Sequence, residues 1–315
     1  MNILITGIHG FVGSNLVVGL QNQHIIFGLD IVSPQKTGIV QTFGWDNMVH
    51  IPPVDAIIHL AGKAHDTKNM SKAEAYFEIN TGLTQKVFDY FLHSDARKFI
   101  FFSSVKAAAD TVQGEFLTED VVPHPKGPYG ESKIKAEEYI LSKQAEYEAK
   151  GKQVYILRPC MIHGPGNKGN LNLLYNLVSK GIPWPLGAYE NKRSFCSVGN
   201  ITFVVEQLIS RENIPDGIYQ VGDDEALSTN EIIRLISQSV NKKPRIWNLP
   251  QGLVAGFAGV GNVLHLPLNK ERLNKLTENY VVSNAKIKAA LGIERMPVSA
   301  REGMLKTLES FILSS

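Results

Sequence analysis

Tyr129 and Lys133 stand four residues apart in "PYGESKIKAEEY" (128–139), a stretch otherwise rich in helix formers. Four apart on a helix means one face, one turn above the other. A phenol ordinarily keeps its proton to about pH 10 and a lysine ammonium to about 10.4. Placed together, the ammonium favours phenolate, and such a pair can take a proton from a hydroxyl and give it back. The same spacing also arises on any surface helix, so the pattern alone leaves both readings open.

The surrounding chain alternates apolar runs with helical segments. "NILIT" (2–6), "HIIFGLD" (24–30), "DAIIHLA" (55–61), "KFIFFSS" (98–104) and "QVYILRP" (153–159) have the character of strands. Helices are expected from roughly Phe11 to Gln21, through "SKAEAYFEINTGLTQKVFDYFLH", and from Tyr129 to about Lys150. Continuous apolar strands separated by amphipathic helices predict a parallel sheet buried on both faces, a doubly wound α/β fold. Beyond Pro159 the chain turns rich in Gly, Asn and Pro, and "SFCSVGNITFVVEQLI" and "GIYQVGD" are expected to return to the sheet. From Leu227 onward it reads as helices and loops, with a capping box from Ser228 to Glu231. The expected division is a nucleotide-binding domain over 1–160, with return strands at about 196–222. A smaller, mostly helical lobe is expected from 161–195 and 223–315.

Between the first strand and first helix, "ILITGIHGFVGSNLV" sets Gly7, Gly10 and Gly13 in a G-x-x-G-x-x-G spacing. Glycines allow a tight turn and a close backbone approach to a pyrophosphate, while the helix start offers unpaired N–H groups. Asp30 ends the second strand, where a carboxylate accepts hydrogen bonds from the ribose hydroxyls and repels a 2′-phosphate. The next basic residue is Lys36, so NAD is favoured over NADP. Asp46 and Asn47 are the candidate adenine contacts.

The formal net charge is +2, and no basic run interleaved with aromatics points to nucleic acid. Cys160 and Cys196 are too few for a disulfide framework and lack metal-ligand spacing, so no metal is expected and a reducing cytoplasm fits. No signal peptide is read at "MNILITG". The apolar stretch 252–268 holds four glycines with Asn262 and His265, and it is short for a bilayer span. It reads as a buried helix or a lid segment.

The glycine turn, "HLAG" (59–62), "SS" (103–104) and "YGESK" (129–133), in this order, resemble the extended short-chain dehydrogenase/reductases. More narrowly, they resemble the NAD-dependent sugar-nucleotide epimerase/dehydratase family. The likeness extends through "LRPCMIHGPG" (157–166), "RSFCSVGN" (193–200) and "LGIERMPVSAREGM" (291–304). It implies a Rossmann domain with Tyr129 as the acid–base and Ser104 as hydrogen-bond partner of the reacting sugar oxygen. Lys133 is implied to bind the ribose and lower the tyrosine pKa. It further implies NAD contacts at Gly7, Gly10, Phe11, Val12, Gly13, Asp30, Asp46, Leu60, Ala61, Gly62, Asn80, Tyr129, Lys133 and Pro159. Asn170 and Arg193 match substrate-binding positions for the nucleotide diphosphate, and Lys106 is a candidate for the sugar or a phosphate. A homodimer is the family expectation.

Departures narrow the activity. Dehydratases of the family carry Asp-Glu directly after the residue equivalent to Ser104, where this chain has Val105 and Lys106. The resemblance therefore implies a UDP-sugar 4-epimerase: hydride leaves C4, a 4-keto sugar turns over, and hydride returns to its other face. A 4-keto reductase of a UDP-N-acetyl-deoxyhexosamine is the alternative. A dinucleotide sensor without turnover would have no need of the serine–tyrosine–lysine set.

Overall fold

The structure, a computed structural model, describes residues 1–64, 72–256 and 270–313. Most of the apolar stretch 252–268, including Asn262 and His265, lies outside the described residues. Among those described, no helix is long and apolar enough to cross a membrane.

Seven strands form one parallel sheet: β1 (Asn2–Thr6), β2 (Ile25–Leu29), β3 (Gln41–Phe43), β4 (Ala56–His59), β5 (Lys98–Phe102), β6 (Gln153–Pro159) and β9 (Gly217–Val221). Their order is β3-β2-β1-β4-β5-β6-β9. The central strands are apolar at nearly every position because alternate residues feed two different layers. Ile3, Ile5, Ala56, Ile58, Ile100, Tyr155 and Leu157 join the core on one face. Leu4, Ile57, Phe99, Phe101, Val154 and Ile156 join the core on the other. A third core, around Leu171, Trp184, Ile233, Ile236, Met304 and Leu308, belongs to the C-terminal region. The expected capping box is present: Ser228 Oγ accepts from Glu231 N, and Glu231 Oε2 accepts from Ser228 N at 2.7 Å.

Three expectations change. Phe195–Ser197 (β8) does not rejoin the main sheet; it pairs with Met161–His163 (β7) in a separate two-stranded ribbon. The helix containing Asn80 is not uniform: one α turn, Ala73–Tyr76, passes into a π-helical turn, Phe77–Gly82, before α geometry resumes over Leu83–His93. The Tyr129 helix spans Pro128–Ser142 and breaks at Lys143 before a short helix, Gln144–Ala149.

Candidate active site

β1 and β4 are neighbours whose onward connections run to opposite sides of the sheet, toward β2 and β5. Such a switch point opens a crevice at the carboxyl ends of the strands. Gly7 leaves β1 with φ +67°, and a Cβ on it would stand 3.0 Å from Ala61 Cα. A Cβ on Gly13 would stand 2.6 Å from the Gly7 carbonyl oxygen, so the turn packs backbone on backbone. Gly10 N–H closes the turn on Gly7 O at 3.0 Å, and Phe11 and Val12 begin the helix Phe11–Leu20. Asp30 Oδ2 accepts from His9 N–H at 2.9 Å, fixing the carboxylate at the mouth of the turn. Asp46 lies past the end of β3 on the short 3-10 helix Trp45–His50, which also contains Asn47.

A buried polar chain joins this turn to Asn80. Thr6 Oγ1 meets His59 Nδ1 at 2.7 Å, His59 Nε2 meets Thr84 Oγ1 at 3.0 Å, and Thr84 Oγ1 donates to Asn80 O at 2.6 Å. The N–H groups of Leu60 and Ala61 donate to the same Thr6 hydroxyl. Burial, then the nearby Lys133 charge, push the His59 pKa down to about 3. Asn80 Oδ1 accepts from Lys63 N at 2.7 Å, and Asn80 Nδ2 donates to Ser132 Oγ at 2.9 Å. A Cβ on Gly62 would lie 3.0 Å from Asn80 Oδ1 and 3.2 Å from Lys133 Nζ, so these three residues meet at one place.

Gly127, at φ +82°, and Pro128 start the helix that carries Tyr129 and Lys133. Ser104 caps the neighbouring helix Val105–Ala108, its Oγ accepting from Lys106 N at 3.2 Å. Ser104 faces the Tyr129 phenol as a side-chain partner that favours its ionised form. The Tyr76 ring stands edge-on to Tyr129 with centroids 6.4 Å apart. Lys133 Nζ donates to Phe102 O at 2.8 Å and lies over the Phe101 ring.

The electrostatics correct one expectation. Burial raises the Tyr129 pKa, Ser104 opposes this, and Tyr76 adds to it, so the phenol is not lowered in the chain by itself. The Lys133 ammonium is instead directed at the Phe102 carbonyl, and burial lowers its own pKa to about 8 against the pull of Glu137.

Lys106 and Arg193 both approach Tyr280. Lys106 Nζ sits 4.5 Å from the Tyr280 ring centroid and 3.2 Å from Asp110 Oδ1. Arg193 pairs its backbone with the Tyr280 segment and donates from Nη1 to Lys275 O at 2.9 Å. Asn170 is the exposed first residue of the helix Asn170–Ser179; no hydrogen bond joins it to Lys106 or Arg193 among the described residues. Pro159 ends β6 opposite Val221. Among the described residues, no group of His, Cys, Asp or Glu is arranged to hold a metal, and both cysteines are free and buried.

Sequence reasoning missed Tyr76, His9, Glu137, Arg158 and Tyr280. Glu137 carried a signal, standing one turn beyond Lys133 on the same helix face. Tyr280 carried none, since its partners lie far away in sequence.

The family model described as "NAD dependent epimerase/dehydratase family" matches residues 3–222. The chain is 30% identical to UDP-glucose 4-epimerase of Vibrio cholerae over 99% of this chain and 95% of that one. It is 26% identical to N-acetyl-alpha-D-glucosaminyl-diphospho-ditrans,octacis-undecaprenol 4-epimerase of Escherichia coli O157:H7, over 91% and 84% of the two chains. The solved UDP-glucose 4-epimerase of Thermus thermophilus, a complex with NAD, superposes over the whole of both chains with TM-score 0.76 and 23% identity, a likeness of fold.

Proposed function

The chain belongs to the NAD-dependent epimerase/dehydratase family, and from that premise we propose that it is a 4-epimerase of a UDP-sugar. The observation that carries this reading is the convergence of Ser104 on the buried Tyr129 phenol, with Lys133 held beside Gly62 and Asn80.

NAD fits the cradle: the Gly7–Gly13 turn leaves no room for a Cβ at either end, and Asp30 presents a carboxylate there to ribose hydroxyls. The proposed holders are Gly7, Gly10, Phe11, Val12, Gly13, Asp30, Asp46, Leu60, Ala61, Gly62, Asn80, Lys133 and Pro159. Bound NAD supplies a hydride acceptor that becomes the donor on the return. Tyr129 removes the proton from the sugar hydroxyl and later restores it. Ser104 Oγ holds the same sugar oxygen and keeps it within reach of Tyr129. Arg193 and Asn170 are the proposed diphosphate contacts, and Lys106 a proposed contact to the sugar or a phosphate.

Elimination of water has no support at the two positions after Ser104. Val105 is buried, and Lys106 is engaged by Asp110 and Tyr280. Neither can serve as a carboxylic acid or carboxylate base.

Epimerisation returns every electron it takes, so it runs without added reductant. Purified protein, offered UDP-glucose, UDP-N-acetylglucosamine and UDP-glucuronic acid separately, is expected to convert at least one to its C4 epimer and to release NAD on denaturation. Net NADPH consumption by a 4-keto sugar nucleotide, without epimerisation, would overturn the proposal in favour of a reductase. Turnover of a polyprenyl-diphosphate-linked sugar alone would move the substrate class instead. The Tyr129→Phe variant separates an enzyme, which loses turnover and keeps NAD, from a sensor. A homodimer is part of the same proposal, and light scattering checks it.

A further inference from the structure

The C-terminal region contains a second cleft, of about 290 Å³, that none of the serine–tyrosine–lysine residues lines. It lies where the helices Asn170–Ser179 and Thr229–Ser239 both end. Lys180, Lys242, Lys243 and Arg245 line it, and no Asp or Glu does. In a chain of 32 basic and 30 acidic residues, that is a local gathering of one sign.

Bonds to backbone carbonyls account for only half of it. Lys242 Nζ donates to Ser179 O at 2.6 Å, and Arg245 Nη1 donates to Gly181 O at 3.1 Å. The negative ends of two helices amount together to about one elementary charge. Four cations exceed that by about three, and Lys180 and Lys243 make no side-chain hydrogen bond or ion pair with the described residues. Ser237 also lines the cleft; it is 1% exposed, and its hydroxyl has no hydrogen-bond partner among the described residues. A buried hydroxyl left unpaired is costly unless something supplies the missing bond. The lining adds apolar surface, Val178, Ile182 and Ile233, of which Ile182 is exposed.

We propose that this cleft is a second anion-binding site, built for a phosphate group. Lys180 and Lys243 supply the free charge, Arg245 supplies a planar fork held by the Gly181 carbonyl, and Ser237 supplies a hydroxyl donor. The phosphate arrives either on a free phosphate ester or on an anionic lipid headgroup, whose apolar part would meet Ile182. The site is independent of the C4 chemistry.

The test titrates the NAD-loaded protein with inorganic pyrophosphate by calorimetry and, in a separate arm, sediments it with phosphatidylglycerol-containing or pure phosphatidylcholine vesicles. Lys180→Glu/Lys243→Glu replaces the two uncommitted cations and leaves both carbonyl-bound ones in place. It is expected to weaken binding at least about tenfold, with turnover unchanged. Pyrophosphate binding lost in the variant assigns free esters; vesicle binding lost in the variant, and absent with pure phosphatidylcholine, assigns headgroups. If the double charge reversal fails to fold, Lys180→Gln/Lys243→Gln takes its place. Failure of the unaltered protein to bind either probe, or equal binding by protein and variant, overturns the proposal.

Discussion

Arg158 Nη2 lies 2.6 Å from Glu137 Oε2, with the two side chains 2% and 0% exposed. Glu137 is the hub of the buried side of the site. It takes a second bond from Arg158 Nε at 3.0 Å and accepts from the Ser103 hydroxyl. Its charge also opposes the burial that lowers Lys133. Breaking one partner of a sealed ion pair strands the other charge, which costs about 3–5 kcal/mol. Glu137→Ala is therefore expected to lose that much stability in urea unfolding. Glu137→Leu/Arg158→Met, which removes both charges, is expected to recover most of it.

Lys133 gives stability a slope in the alkaline range. In the unfolded chain this lysine holds its proton to about 10.5, and in the folded chain to about 8. Between those values the unfolded state binds more protons, so stability rises with pH. The charge penalty is fully present below about pH 8 and relieved toward 10.5; its size is about 3 kcal/mol. Lys133→Met should erase this rise. At pH 7 its stability should stay level or improve, because the hydrogen bond to Phe102 O that it gives up is worth less than the penalty removed. Activity should be lost. A variant whose denaturation midpoint still climbs between pH 8 and 10.5 would place the slope elsewhere.

What was legible in the sequence follows how local each signal is. β1, β4, β5 and β6 were visible because both faces are apolar, and such runs are rare outside a parallel sheet. β8 was misplaced because three apolar residues do not specify a partner; theirs, Met161–His163, lies more than 30 residues back. The π turn around Asn80 escaped because its six residues, flanked by helix formers on both sides, are too few to show a period of their own. The Tyr129 and Lys133 pair was readable from a four-residue spacing. The direction of the tyrosine's shift was not, since it depends on Tyr76 and on burial by distant segments. Tyr280, whose hydroxyl donates to Ala109 O across 171 positions, lay beyond any local pattern.

His59 predicts the acid side of the stability profile. Its folded pKa of about 3 lies below the ordinary 6.5, so the unfolded chain binds the additional proton as pH falls through that interval. Stability is unaffected by this group above pH 6.5 and is lost progressively below it, by about 5 kcal/mol at the bottom of the window. His59→Gln should flatten that part of the profile. Because Gln spans the Thr6–Thr84 gap imperfectly, it should also lower stability at pH 7 by about 1–3 kcal/mol. Thermal unfolding across pH 4–7 reads both effects, and an unchanged acid limb would show that other groups govern it.

Gly130 sets how near the Tyr129 helix comes to the Ser104 cap. A Cβ there would fall 2.4 Å from the Lys106 carbonyl oxygen and 2.9 Å from Pro125 Cβ. The carbonyl belongs to the backbone of the helix Ser104 caps, so it cannot swing aside as a long side chain would. Gly130→Ala must therefore push the helices apart, drawing Tyr129 away from Ser104. A misplacement on that scale costs catalysis about 100-fold. The NAD holders other than Tyr129 and Lys133 lie on other elements, so NAD should still bind, weakened only by what the shift of this helix costs Lys133. The expected outcome is a large fall in kcat with NAD affinity changed less than about threefold. Equal losses of turnover and NAD binding would mean that the substitution disturbs the whole crevice rather than the approach of these two helices.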